Sequence, residues 1–593
     1  MQPASASGAT GGNKQLKRWG PIAGVAAVIA IGAGVLVATG GDDDKADDTT
    51  TTAVVDTTAP PDTGGPVTTE GTGVTDTTEG PVEVTYPLTY SQAVGQGVEG
   101  DIDWGDRCDT TTGRLAVPDY FAPECYAPFT GDNGGATSTG VTAEEITVVY
   151  YEGQANDPII AYITDAISVD DTNEQQFETV RGLVEYYETY YELYGRTINL
   201  VTFEGTGGAQ DEVAARADAA TIVEQYSPFA VLGGPALTSA FGDELAARNT
   251  LCISCTPGQP ANFYSERDPY VWGLDGSALQ KQAHVLEFLE KQIIGKAAEF
   301  GGDAVKELPR NFGLLYLESS GASKDLADTF AGRMDALGAP FAEVVPYELN
   351  PATIQQTAVQ VITKMKAAGV TTIVFSGDPV APREFTKEAT AQEYFPEWIV
   401  AASTLVDVTA FARTYDQQQW AHAFGVTQLA ARGNPTSTGA YANYEWFKGT
   451  PPPADGTIGV ISPAPALFFA VMQGAGPVLT PESFRDALFS AEGTRPGISQ
   501  PYLSYGDKGY WDGVADYQGV DDATVFWWDP AATGADEIRK EGTGMYQYVD
   551  GGQRYLPGQW PTEEKLFDPE GAVSLYATPP EGEERGDYPS PAG

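Results

Sequence analysis

The chain has 593 residues, 82 of them acidic and 33 basic, for a formal net charge of −49. So acidic a surface repels nucleic acid, whose binding needs Lys and Arg against phosphate, and offers anionic lipid little attraction. With 42% hydrophobic and 11% aromatic residues it can still build large cores, enough for about two to four folded units.

The first element is Gly20 to Gly41, 22 residues without a charge. As a helix it spans about 33 Å, against a hydrocarbon core of roughly 30 Å. Lys14, Lys17 and Arg18 precede it, and Asp42, Asp43 and Asp44 follow. Positive charge stays inside, so residues 1–19 form a cytoplasmic stub, 20–41 a transmembrane anchor, and the bulk of the chain is extracytoplasmic. A cleaved secretory signal is the competing reading, but Leu36-Val37-Ala38 matches a small-x-small cleavage site poorly. The first cysteine, Cys108, is too distant for lipidation, and the stub is too short for an output domain.

Residues 42–95 read as a disordered stalk. Thr49 to Thr78 holds 13 threonines among Pro, Gly, Asp and Glu, with too little apolar surface to offset the entropy of ordering. Residues 96–140 form an extension stapled by Cys108 and Cys125, since cysteines of exported proteins are mostly paired. Gly95-Gln-Gly-Val-Glu-Gly100 fits G-x-G-x-x-G but has neither a strand before it nor a helix after it, so it predicts no nucleotide cofactor. Asp101, Asp103 and Asp106 lack the turn glycine of a calcium loop. Two histidines in the whole chain supply zinc poorly, and no metal site is expected.

From Val141 strands and helices alternate. Ile146–Tyr151, Thr197–Phe203, Phe229–Gly233 and Leu251–Ser254 read as strands, with helices at Phe177–Tyr194, Gln210–Gln225, Leu237–Ala247 and Ser277–Lys291. The pattern then restarts. Strands Asn311–Leu317, Phe341–Tyr347, Thr372–Phe375 and Trp398–Ala401 alternate with helices Lys324–Leu337, Ile354–Ala368 and Ala381–Ala391. Two βαβα runs demand two parallel sheets flanked by helices, hence an α/β fold of two Rossmann-like lobes. Beyond 425 the chain is aromatic and irregular; Phe526–Asp529 reads as a strand end and Met545–Tyr555 as a hairpin about Asp550-Gly551-Gly552. Cys252-Ile-Ser-Cys255 has C-x-x-C spacing, yet it closes a strand and enters the turn Thr256-Pro257-Gly258, which favours a structural disulfide over a redox thiolate at a helix start.

Ligands of open α/β sheets bind at the carboxyl ends of strands. The loops there are Gly233-Gly234-Pro235-Ala-Leu-Thr238-Ser239, Thr256-Pro257-Gly258, Glu318-Ser319-Ser320-Gly321 and Ser376-Gly377-Asp378-Pro379. Each is also an ordinary helix cap taken alone, but together they face one cleft between two lobes. Their hydroxyls and free N–H groups suit an anionic group, and Asp378 suits an ammonium. His284 and His422 have no Ser, Cys or Asp constellation near them in sequence, and no catalysis is expected.

In order and spacing, Gly140-Val-Thr-Ala-Glu-Glu-Ile-Thr-Val, Val231-Leu-Gly-Gly-Pro, Ile253-Ser-Cys-Thr-Pro, Tyr270-Val-Trp-Gly and Phe312-Gly-Leu-Leu-Tyr resemble the type I periplasmic binding proteins of the branched-chain amino acid and amide group of ABC-transporter receptors. The resemblance runs from about Gly140 to about 530. It implies a two-lobe domain over 141–575, with lobe 1 at 141–274 and 403–510, lobe 2 at 275–402 and 511–575, and strands crossing near 274, near 402 and after 500. Residues 576–593 would be a disordered tail. It further implies that Thr238, Ser239 and Thr256 hold a ligand carboxylate, that Asp378 meets an ammonium, and that Gln154, Asn156 and Ser320 complete the site. The lobe-two aromatic usual in the family is replaced by Ser320-Gly321. The expected activity is capture of a small polar ligand, such as an amino acid or amide, and delivery to an ABC permease; the alternatives are a sensor ectodomain that signals through a partner membrane protein, and a hydrolase.

Overall fold

The computed structural model describes residues 84–593 apart from Tyr120, Ser320, Ser403, Thr404, Pro496, Ile498, Ser499, Asp512, Val514 and Gly582. The stub, the anchor and the stalk as far as residue 83 lie outside the described residues, as does Ser320.

The first described element is helix α1 (Tyr90–Gln96), started by a capping box between Thr89 and Gln92. Leu88 and Ala93 are buried, so the stalk ends before residue 95, at the point where apolar residues find a surface to cover. The short strands β1 (Cys108–Asp109) and β2 (Arg114–Leu115) pair antiparallel, and Cys108 is bonded to Cys125. Closing a loop of that size is worth about 3 kcal/mol in the chain-entropy account. Trp104, Leu115, Val117 and Ala127 join the core of the first lobe; the extension is part of that lobe rather than a separate unit.

Lobe 1 is built on five parallel strands in the order β4-β3-β5-β6-β7. These are β3 (Glu145–Glu152), β4 (Thr197–Glu204), β5 (Ala230–Leu232), β6 (Leu251–Ile253) and β7 (Val271–Trp272). Central β3 is buried from Val148 to Glu152, as a strand covered on both faces must be. Helices α2 (Pro158–Ile167), α3 (Asn173–Tyr190), α4 (Glu212–Tyr226), α5 (Ala240–Ala247) and α6 (Ala261–Ser265) connect them. The Cys252 and Cys255 sulfurs meet at the buried end of β6.

Lobe 2 begins with α7 (Ala278–Phe288), opened by a capping box between Ser277 and Gln280. Its sheet is β8 (Phe312–Leu317), β9 (Glu343–Tyr347), β10 (Thr372–Ser376), β11 (Glu397–Ala401) and β12 (Ala423–Thr427), all parallel, in the order β9-β8-β10-β11-β12. Helices α8 (Gly321–Ala336), α9 (Ile354–Ala367), α10 (Ala381–Ala391), α11 (Thr409–Ala412) and α12 (Gln417–Trp420) fill the connections. Because β12 pairs parallel with β11, residues 405–427 belong to lobe 2, and the chain returns to lobe 1 after Thr427 rather than near 402. Parallel strands need a covering crossover, and α11 and α12 supply it.

The chain then adds strand β13 (Arg432–Gly433) and helices α13 (Gly439–Lys448), α14 (Ile458–Ile461), α15 (Pro463–Ala475) and α16 (Pro481–Ser490), whose apolar faces enter the lobe 1 core. The apolar stretch Ile458–Ala475 is long enough to cross a membrane but is mostly buried here, as a core helix is. A third crossing leads to β14 (Ala523–Ala535) and β15 (Glu541–Tyr548), antiparallel on the edge of lobe 2, followed by β16 (Arg554–Tyr555) and β17 (Leu575–Tyr576). The Met545–Tyr555 hairpin does not form. β15 and β16 both pair with β14, the chain jogging along one edge through the turn Val549–Gly552, and the true hairpin turns at 536–540. Nor is the tail loose: Trp446 Nε1 donates to the Tyr588 carbonyl at 3.0 Å, and the Tyr588 hydroxyl to Asp109 at 2.8 Å.

The three crossings are bonded to one another. Gly273 N–H donates to the Tyr517 carbonyl at 2.9 Å. The Gln428 carboxamide accepts from Gly276 N–H at 3.0 Å and donates to the Val520 carbonyl at 3.1 Å. A Cβ on Gly276 would lie 2.4 Å from Gln428 Nε2, so a larger residue there would have to displace the carboxamide that joins the crossings.

Candidate functional site

Loops from the carboxyl ends of β5, β6, β8, β10 and β11 line one partly open cavity of about 280 Å³. Lobe 1 contributes Leu237, Thr238, Ser239, Pro257, Gly258 and Gln259, with Ile160 and Ile163 from α2. Lobe 2 contributes Tyr316, Ser319, Leu326, Ala327, Phe330, Ser376 and Asp378. Lys281 and Gln282, on α7 just past the first crossing, line it between the two.

The structure sorts the expected ligand residues by what their polar atoms already do. Thr238 and Ser239 lie on the cavity wall just before α5; Thr238 Oγ1 accepts from Ala240 N–H at 3.1 Å, leaving its own proton to donate. Asp378 lines the cavity, but its carboxylate is engaged. Oδ1 accepts from the N–H groups of Val380 and Ala381 at 2.8 and 2.9 Å, and Oδ2 accepts from the Tyr347 hydroxyl at 2.6 Å. Burial pushes this carboxyl above its usual range, against those donors. Both Asp378 carboxylate oxygens therefore already accept hydrogen bonds, from Tyr347 and from the chain entering α10.

Thr256 does not line the cavity. Its side chain packs against Gly242 of α5, and its Oγ1 is buried without a partner. Gln154 and Asn156 are also absent from the wall. Gln154 Nε2 donates to the Thr206 carbonyl at 3.3 Å, and Asn156 is exposed. The loop turns away because the next residue, Asp157, caps α2.

Two residues of α7 had no sequence signal beyond a helical face. Gln282 Nε2 donates to the Leu326 carbonyl at 3.1 Å, which fixes the carboxamide and leaves Oε1 buried without a partner. A buried acceptor in that state costs about 1–3 kcal/mol until a donor meets it. Among the described residues Lys281 is the one cation on the wall, and it is ion-paired with Asp275. Near it Asp407, held by the Thr427 hydroxyl at 2.6 Å, is pushed up to about 7 by burial, against the pull of that hydroxyl and of Lys281.

Neither histidine lines the cavity. His284 is buried between Trp560 Nε1, which donates to Nδ1 at 3.1 Å, and the Asp521 carbonyl, 2.9 Å from Nε2. Both ring nitrogens are thus used by the neutral form, and burial lowers the pKa to about 4. Among the described residues no cluster of His, Cys, Asp or Glu is arranged to hold a metal ion.

The wall is apolar over much of its area, with hydroxyls, the Glu212 and Asp378 carboxylates, and a lysine and a carboxamide at the hinge side. Such a volume falls just below the roughly 300–1,000 Å³ typical of small-molecule sites, which suits a monomeric solute rather than a polymer.

A family model described as periplasmic binding protein matches residues 160–509. No curated protein matches the sequence. Similar solved structures include a solute-binding protein of an ABC transporter from R. palustris in complex with 4-hydroxybenzoate, at 12% identity and TM-score 0.46 over 70% of this chain and 99% of that one. A branched-chain amino acid transporter substrate-binding protein from Streptococcus pneumoniae in complex with isoleucine is 12% identical, with TM-score 0.45 over 68% of this chain and 100% of that one. A fatty acid ABC transporter substrate-binding protein from Thermomonospora curvata is 14% identical, with TM-score 0.46 over 76% and 100%.

Proposed function

The chain belongs to the periplasmic binding protein family, and we propose from that premise that it is the extracytoplasmic receptor of an ABC importer, taking one small solute into the cleft between its lobes. The observation that carries this is a cavity of about 280 Å³ walled by strand-end loops of both sheets, with the hinge helix between them. A solute there touches both lobes at once, so it favours the closed form by its difference in affinity between the two states. A permease can read that form.

The wall selects for an apolar body with a polar end. Ile160, Leu326, Ala327 and Phe330 receive the body; Thr238, Ser239 and Lys281 suit a carboxylate or similar anionic group; Gln282 asks for a hydroxyl or N–H donor. Amino acids, amides and small organic acids meet these terms. The uncharged run Gly20–Gly41 serves as the anchor that keeps the receptor beside its permease, and Cys252 and Cys255 form a second, structural disulfide.

The test is thermal unfolding of the full chain against amino acids, amides, hydroxy acids and short aliphatic acids. A compound bound to the native state alone stabilises it by about 2.7 kcal/mol at a hundred times Kd. One chemical class is expected to raise the midpoint; a folded chain that responds to none of them would sink the proposal.

A further inference from the structure

Helix α2 leaves the lobe 1 sheet and lies against lobe 2. Its first turn is fixed to lobe 1: Asp157 Oδ1 accepts from the N–H groups of Ile159 and Ile160 at 2.7 and 3.1 Å, and Oδ2 accepts from Ala209 N–H. Its body is not. Ile163 is part of the lobe 2 core, with Ile159, Tyr162 and Ala166 packed beside it. Ile160 and Ile163 at the same time wall the cavity. The helix therefore bridges the cleft at its mouth, away from the three crossings.

Its last turn is gripped from lobe 2 by the tip of the β14–β15 hairpin. Lys540 Nζ donates to the carbonyls of Ile167 and Ser168 at 2.7 and 2.9 Å. A cation at a helix carboxyl end meets both unpaired carbonyls and the negative end of the helix dipole. Ile538 packs into the small cluster of Ile160, Val169 and Ala209. Arg539 lies over the Tyr441 ring of lobe 1 at 4.3 Å and donates to the Asp455 carbonyl.

The tip is shaped before it grips. Asp536 Oδ1 accepts from Ile538 and Lys540 N–H at 3.1 and 2.8 Å. The Arg413 guanidinium of lobe 2 ties the stem, donating to Asp536 at 3.1 Å, the Gly534 carbonyl at 2.7 Å and the Lys540 carbonyl at 2.9 Å.

We propose that α2 is a lid over the cavity and that the hairpin tip, residues 536–540, is the latch that holds it shut. Access then depends on Lys540 and Ile538 releasing α2, as well as on bending at the hinge. The inference concerns the way in, and holds whatever solute the cavity takes.

The test uses a thiol inside the cavity and needs no ligand. Ala327→Cys places it on the lobe 2 wall, and its rate of modification by a small maleimide reports opening; the chain without that substitution is the blank. Adding Lys540→Ala is expected to raise the rate at least tenfold, and Lys540→Arg to return it toward the starting value. Should Lys540→Ala not fold, Lys540→Met keeps the stem and removes the grip. Amide exchange follows on the same proteins: residues 158–167 should exchange faster on loss of Lys540 while β10 stays protected. Equal labelling rates with and without the latch would overturn the proposal. Faster exchange throughout both lobes would overturn it too, since Lys540 would then be a general stabiliser.

Discussion

The two lobes meet at two joints made of different material. At the hinge the contacts are buried and charged. Arg554 and Asp522 pair at 2.8 Å with both side chains fully buried, and Arg554 also donates to the carbonyls of Leu429, Gln428 and Asp522. Gln280 Nε2 donates to Asp516 at 2.8 Å, and Gln428 ties the first crossing to the third. At the mouth the polar contacts are a lysine on two carbonyls and an arginine on a tyrosine ring, beside the apolar packing of α2 on lobe 2, with Asp455 largely exposed. Buried pairs cannot lose a partner cheaply, while exposed ones exchange readily with water. The hinge is built to stay together and the mouth to come apart.

Breaking the hinge should have the largest effect. Arg554→Met leaves the Asp522 carboxylate buried with Arg495 alone and should cost about 3–5 kcal/mol in urea unfolding; a loss under about 1 kcal/mol would show that the pair is dispensable. Gln428→Leu strips Gly276 N–H and the Val520 carbonyl of their partner, for about 1–3 kcal/mol. If it matched a surface substitution instead, the crossings would not be coupled through this side chain.

Asp407, close to Lys281 between the joints, sharpens the contrast through pH. Its folded value of about 7 lies above its ordinary value of 3.8. The contribution of its raised pKa is fully present below pH 3.8 and is lost as pH rises through 7. Asp407→Asn cannot ionise yet can still accept from Thr427. Its stability relative to the native chain should be near zero below pH 3.8 and move in its favour as pH rises toward 8. A difference that does not change with pH would remove Asp407 from this role.

The mouth should give the smallest change in stability. Lys540→Ala is expected to lower the unfolding free energy by only about 1.4 kcal/mol, the equivalent of the tenfold gain in opening. A loss of several kcal/mol would mean that mouth and hinge are the same kind of joint.

The alternating strands and helices of both lobes were legible because each obeys a local rule. β3 is a run of Ile, Val and Tyr, and α9 carries Ile354, Ala358, Val361 and Met365 on one face. Helix α2 obeys such a rule too: Asp157 then Pro158 is a helix start, and Ile159, Ile160, Ile163 and Ile167 follow at helical spacing. What no local rule holds is pairing at a distance. β12 joins lobe 2 only because it hydrogen-bonds to β11, and β14 continues past Pro530 as an edge strand with an irregular register. The cavity divides in the same way. Thr238 and Ser239 follow from strand-end loops, whereas Asp378 reads as a free acid until Tyr347, 31 residues upstream, is seen to bond it. Lys281 and Gln282 sit in mid-helix, where sequence offers only an amphipathic face.

The central claim is that the cavity between the lobes is where the solute binds. The most direct measurement is a calorimetric titration of the best compound from the unfolding panel into the native chain and into Ala327→Trp, which fills the lobe 2 wall, with circular dichroism to confirm that both fold. The account predicts that affinity falls at least a hundredfold, about 2.7 kcal/mol. Unchanged affinity in a folded Ala327→Trp chain would place the solute elsewhere and contradict it.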